Sequence, residues 1–137
     1  MKTLRDPECL LTQGLAAIRG QFKVPSQFPP DVLAAADRAA ARMPADHADW
    51  TARPFVTLDP AGATDLDQAF AIEPAGVDWL LHYAIADVGW FVDHGDPLDG
   101  EAWQRGMTTY LPDGKAGLYP PVLAEGAASL LPDGPRP

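Results

Sequence analysis

Three aspartates within nine residues, Asp59, Asp65 and Asp67, are the side chains whose type and spacing can do chemistry. They lie in FVTLDPAGATDLDQAF, Phe55 to Phe70, between apolar runs. Acids at the edge of a buried sheet are costly unless a positive charge meets them. On an extended segment Asp65 and Asp67 point to one face, about 6–7 Å apart. Asp59 can fold back beside them across the loop. Converging oxygen donors of this kind suit Mg²⁺, with Mn²⁺ as the alternative ion. Two such ions about 3.5–4 Å apart stabilise the attacking and leaving oxygens of phosphodiester cleavage, and one lowers the pKa of a bound water. A structural reading stands beside this one. Asp59 before Pro60 is an ordinary turn opener, and Asp65 and Asp67 can cap turns or helices. A calcium EF-hand loop is a poor match, because Ala69 stands at a ligand position, the glycine is missing and Glu73 comes too early.

The elements that must position these acids read as follows. Phe55 to Leu58 is a short strand, broken by Asp59-Pro60. Pro60 to Thr64 is a small-residue loop. Gln68 to Pro74 and Asp78 to Asp87 are strands joined by Ala75-Gly76-Val77 in a hairpin-like connection. Trp79, Leu81, Tyr83 and Ile85 share one face of the second strand. Its other face is also mostly apolar, which predicts a central strand. Upstream, Asp6-Pro7 reads as a helix start, with Leu11, Leu15 and Ile18 as its stripe and Gly20 as its stop. Residues 21–30 form a proline-punctuated linker. A second helix from Asp31 should turn Leu33, Ala36, Ala40 and Met43 inward and end at Pro44. Downstream, Asp96-Pro97 opens a helix running to about Gln104, with Gly106 beyond it. Thr108 to Leu111 is a strand, Pro112-Asp113-Gly114 a turn, and Pro120-Pro121 starts a short helix that Gly126 stops.

With 137 residues, 47% of them apolar, the chain can bury the core of one domain. The 15 prolines and 12 glycines make it turn-rich. No apolar run is long enough to span a bilayer, and MKTLRDPECL meets an acid too early for a secretory leader. The single cysteine, Cys9, excludes an internal disulfide and is expected as a small buried residue at a helix start. A cytoplasmic location and no membrane partner are therefore expected. Residues 1–53 hold seven Lys/Arg and six Asp/Glu, whereas residues 54–137 hold three and thirteen. So acidic a segment meets nucleic acid only if metal ions, or basic segments outside it, supply the positive field.

The blocks FVTLDPAGATDLDQAF, HYAIADVGWFV, PLDGEAWQRGMTTYLPDG and YPPVLAEGAASLLP occur in this order and at compatible spacing. Together they resemble the RNB catalytic domain of the ribonuclease II / ribonuclease R family of exoribonucleases. The resemblance runs from about Ala48 to Pro137. It implies the N-terminal part of the catalytic domain over residues 48–137; residues 1–47 show no such match and read, from their own pattern, as a helical lead-in. Short strands and hairpins with N-terminal and flanking helices argue an α+β fold, and the resemblance implies that its mainly antiparallel sheet is curled and barrel-like, left incomplete here. The implied activity is Mg²⁺-dependent 3′→5′ hydrolysis of single-stranded RNA to nucleoside 5′-monophosphates. Asp59, Asp65 and Asp67 fall on the first three aspartates of the family's acidic motif, Asp59 as a metal ligand and Asp67 nearest the chemical step. Gln68 stands at the fourth, so that donor brings no charge.

Tyr110 falls on an aromatic that packs against the 3′-terminal nucleotide. Its other reading is a core strand tyrosine. Asp87 reads as a strand-end acceptor and His82 as a packed strand histidine, with His47 and His94 in polar loops. Trp50, Trp79, Trp90 and Trp103 read as core or rim, because no basic residues interleave with them. The later part of the family domain, with its basic residues, has no counterpart here. A fragment lacking it is expected to be inactive alone. The alternative is a non-catalytic RNB-like RNA-binding or scaffold module with a degenerate metal site.

Overall fold

The computed structural model describes residues 5–132 and 134–137. The stretch MKTLRDPECL, on which the expectation of no secretory leader rests, lies partly outside them. Helix α1 spans Leu10–Gln21 and α2 Pro30–Ala40. Strands β1, Gln68–Ala75, and β2, Asp78–Ile85, follow. A single 3-10 turn, Val88–Trp90, leads to α3, Pro97–Arg105. Strands β3, Thr109–Leu111, and β4, Gly114–Ala116, precede a π-helical turn at Leu123–Ala127.

The core lies where α2, α3 and the π-helical turn meet. Val32, Ala35, Ala36 and Ala39 pack there with Phe91, Leu98, Leu123 and Ala128. The buried stripe of α2 is therefore rotated from the expected one: Leu33 and Met43 are exposed. Alanines on the inner face let the helix approach closely enough to enclose Phe91 and Leu98, which a leucine there would prevent. The core also crosses residue 47, since α2 contributes four of its side chains.

Both sheets are antiparallel and two-stranded, β1 with β2 and β3 with β4. Neither closes into a barrel among the described residues. Residues Gly76-Val77 link β1 to β2, and Gly76 takes the left-handed backbone (φ 68°) that a two-residue hairpin loop requires. Strand β2 is not central. Among the described residues only β1 pairs with it, so its apolar side chains stay in solvent, Trp79 at 71% exposure and Ile85 at 69%. Phe55 to Leu58 forms no full strand, making a single bridge from Val56 to Phe70.

Helix α1 begins at Leu10 rather than after Asp6-Pro7, yet Asp6 still caps it. Its carboxylate accepts from the Leu11 and Thr12 N–H groups at 3.2 and 2.9 Å. The Leu11–Ile18 stripe of α1 is unburied, and Cys9 is exposed, because nothing described packs over that helix start. Helix α3 matches the expectation. Asp96 accepts from the Asp99 N–H at 2.8 Å, Pro97 opens the first turn, and Gly106 (φ 74°) closes the helix. Gly126 lies inside the π-helical turn and does not stop it. No helix among the described residues is long and apolar enough to cross a membrane.

Candidate functional site

The acid-bearing loop is held at both ends and in the middle. At its entry, Val56 and Phe70 exchange two backbone hydrogen bonds of 2.9 Å. Pro60 to Ala63 turn tightly, with Gly62 at φ 91°. In the middle sits Leu66, buried between the two acids. Its N–H donates to Ser129 Oγ at 2.8 Å, and its carbonyl accepts from the Leu130 N–H at 2.8 Å. At the exit the Asp67 carbonyl accepts from the Ala86 N–H at 2.8 Å. Because Leu66 turns inward, its neighbours Asp65 and Asp67 turn outward.

They turn into a shared cleft. Asp59, Asp65, Asp67 and Gln68 line a depression of about 390 Å³ floored by Leu58, Phe70 and Tyr83. Asp65 and Asp67 also border a second, larger cleft of about 560 Å³ that runs to Tyr110, Lys115, Arg105 and Glu125. The loop therefore places all four polar positions singled out from the sequence beside one another. It does not bring three acidic side chains to a common point at metal-ligand range among the described residues.

Asp65 is instead engaged by a cation from another element. Lys115 Nζ lies 3.0 Å from Asp65 Oδ2 and 2.9 Å from Glu125 Oε1. Its ammonium draws Asp65 toward the β3–β4 hairpin and holds that carboxyl below the ordinary range. Glu125, and then Asp65, push the lysine well above its ordinary value. Gln68 is also engaged, its Oε1 accepting from the Tyr83 hydroxyl.

The second cleft is walled by Arg105. Its side chain is 3% exposed and pairs with Glu101 at 2.7 Å. It donates to the Gln27 and Gly117 carbonyls and lies 3.7 Å from the Phe28 ring centroid. One guanidinium thus ties the linker before α2 to the segment after β4. Tyr110 is 74% exposed on the cleft rim, which removes its reading as a core residue.

Asp87 is the expected structural acceptor. Its carboxylate takes the Trp90 N–H and contacts His47 Nε2, both at 3.2 Å. His82 is more than packed: Nε2 lies 2.8 Å from both Arg53 Nη1 and Glu73 Oε1. Protonated it donates to Glu73, and bare it accepts from Arg53. That same Arg53 lies 4.4 Å from the Trp50 ring, a basic partner the linear sequence did not suggest. Trp90 packs against the core, whereas Trp79 and Trp103 are exposed. His94 lies in a loop, 3.3 Å from Asp99.

The residues that linear reasoning missed are Lys115, Glu125, Ser129 and Arg105. A signal existed for three of them. Arg105 and Lys115 are two of the three cations after residue 53, set among thirteen acids, so ion pairs were to be expected of them. Ser129, set among Ala and Leu, carried a weaker one: a polar group in an apolar run needs a partner.

A family profile described as the RNB domain matches residues 47–137. The chain belongs to the RNB domain family. Over 82 residues it is 42% identical to exoribonuclease 2 of Aeromonas hydrophila, covering 60% of this chain and 12% of that protein. Over 119 residues it is 32% identical to ribonuclease R of Aquifex aeolicus, covering 82% of this chain and 17% of that one. Mycoplasma genitalium RNase R, solved in complex with ribose-methylated single-stranded RNA, superposes with a TM-score of 0.79 at 26% identity. That match covers 88% of this chain and 20% of the other. The RNB chain thus spans a small part of the relatives it matches.

The donors of this RNB segment fit a hard divalent cation in kind, with three carboxylates and one amide in one cleft. The ion pairs of the described residues engage Asp65 but not Asp59 or Asp67. Asp65, which borders both clefts, already meets a positive charge from the larger one, the Lys115 ammonium.

Proposed function

We propose that the chain carries the acid-bearing part of a Mg²⁺-dependent 3′→5′ exoribonuclease that releases nucleoside 5′-monophosphates from single-stranded RNA. The observation that carries this reading is the cleft that gathers Asp59, Asp65, Asp67 and Gln68 within an RNB-family segment. The naming of its relatives as exoribonucleases supports it. In this reading Asp59, Asp65 and Asp67, with Gln68 as a neutral donor, hold the cation. Mg²⁺, or Mn²⁺ in its place, supplies charge neutralisation at the scissile phosphate and a more acidic bound water. Asp67 would be the carboxylate nearest the scissile bond, and Tyr110 on the rim would stack against a terminal base. Residues 48–137 are the N-terminal part of the catalytic domain and residues 1–47 its lead-in. The fragment alone lacks a positive channel for the RNA backbone and turns over poorly. A cytoplasmic location suits this function.

The test is hydrolysis of 5′-labelled single-stranded RNA by the gene product that carries this chain, with Mg²⁺ or with chelator. Stepwise shortening from the 3′ end is expected. Asp67→Asn should lower the rate about 10²–10³-fold, the usual scale for removing one transition-state electrostatic group. Full activity in that variant would remove Asp67 from the chemistry.

A second reading, a non-catalytic RNA-binding or scaffold module, is favoured by the engagement of Asp65 by Lys115 and of Gln68 by Tyr83. RNA binding without Mg²⁺-dependent cleavage in the same assay would select it. Gln68→Asp measures how far the missing charge is responsible.

A further inference from the structure

Lys115 stands out among the cations of the acidic part of the chain. Arg105 is buried and committed to Glu101 and two carbonyls, and Arg136 donates to the Leu131 carbonyl. Lys115 alone meets the acid loop, on β4, directly opposite Tyr110 on β3. Cross-strand partners in register project from the same face, so lysine and tyrosine reach the cleft together. The ammonium joins three parts of the fold. It lies 3.0 Å from Asp65 on the loop and 2.9 Å from Glu125 on the π-helical turn, and it is carried by the hairpin itself. A divalent ion and an ammonium cannot both sit against one carboxylate without strong repulsion. Glu125 offers the lysine a place to go.

We propose that Lys115 is a resident counter-ion of the acid cleft: it holds Asp65 until a divalent cation takes that carboxylate, whereupon it stays with Glu125 alone and unlatches the β3–β4 hairpin from the acid loop. This rests on the metal-site reading of Asp59, Asp65 and Asp67. It adds that cation loading works against an internal competitor and reaches Tyr110 through the hairpin. Lys115 is a positioning residue in this scheme.

The probe is Mn²⁺, titrated into the 137-residue chain and followed by the paramagnetic resonance of the free ion. Lys115→Met should tighten Mn²⁺ binding about fivefold, the upper range for a half-exposed ion pair. Lys115→Arg keeps the charge and should stay near wild type. Lys23→Met, which removes a charge lining neither cleft, should also leave binding unchanged. A second readout needs no variant. Acetylation of wild-type Lys115, read by peptide mass against Lys23, should rise when Mg²⁺ is added. Equal Mn²⁺ affinity in wild type and Lys115→Met, with acetylation indifferent to Mg²⁺, overturns the role of Lys115 and leaves the metal site standing. Absence of Mn²⁺ binding in both proteins overturns the metal site and the counter-ion together.

Discussion

Ser129→Ala tests how the acid loop is held. Ser129 is 1% exposed, and its Oγ is the acceptor for the Leu66 N–H at 2.8 Å. Alanine removes the oxygen and leaves that N–H facing a methyl group in the interior. A buried donor without a partner costs about 1–3 kcal/mol. The lost hydroxyl volume adds little, so a destabilisation of about 2 kcal/mol is expected. With a urea dependence of about 2 kcal/mol/M, ordinary for a domain of this size, the unfolding midpoint should fall by about 1 M. Ser26→Ala, on the exposed linker, should stay within about 0.5 kcal/mol of wild type and serves as the control. Amide exchange gives the local readout. The Leu66 and Leu130 N–H groups should both lose protection, because the second lies in the same clamp. A midpoint within about 0.25 M of wild type, with unchanged exchange at Leu66, would show that the clamp does not hold the loop.

Three further outcomes are expected. Leu98→Ala, at the centre of the core, should cost about 2–5 kcal/mol in urea unfolding; a loss below about 1 kcal/mol would mean that α2 and α3 do not depend on it. The depressed carboxyl of Asp65 contributes stability above its unfolded value of about 3.9, and that contribution disappears as pH falls through the lower folded value. The urea midpoint difference between wild type and Asp65→Asn should therefore be present at pH 7 and shrink steadily as pH falls below the unfolded value of about 3.9; a difference unchanged as the solution is acidified would contradict the ion pair. Tyr110→Ala should leave unfolding within about 0.5 kcal/mol of wild type while weakening single-stranded RNA binding by about 1–3 kcal/mol in fluorescence anisotropy; unaltered affinity would remove the tyrosine from the RNA surface.

Much of this molecule was legible in the order of its residues. Local chemistry specifies α3, from the Asp96-Pro97 start to Gly106, and the β1–β2 hairpin around Gly76, because caps and turns depend on residues a few positions apart. The acid motif was visible for the same reason, and so was its place in a loop after a proline. Long-range pairing was not legible. That Lys115 would cross fifty positions to Asp65, or that Ser129 would hold Leu66, depends on which surfaces the core brings together. The face α2 turns inward was likewise decided by packing against Phe91 and Leu98 rather than by its own pattern. Sequence alone determined which groups could bind a cation. Tertiary structure decided that they share a cleft without converging, because the core sets the loop against the β3–β4 hairpin, where Asp65 meets the Lys115 ammonium.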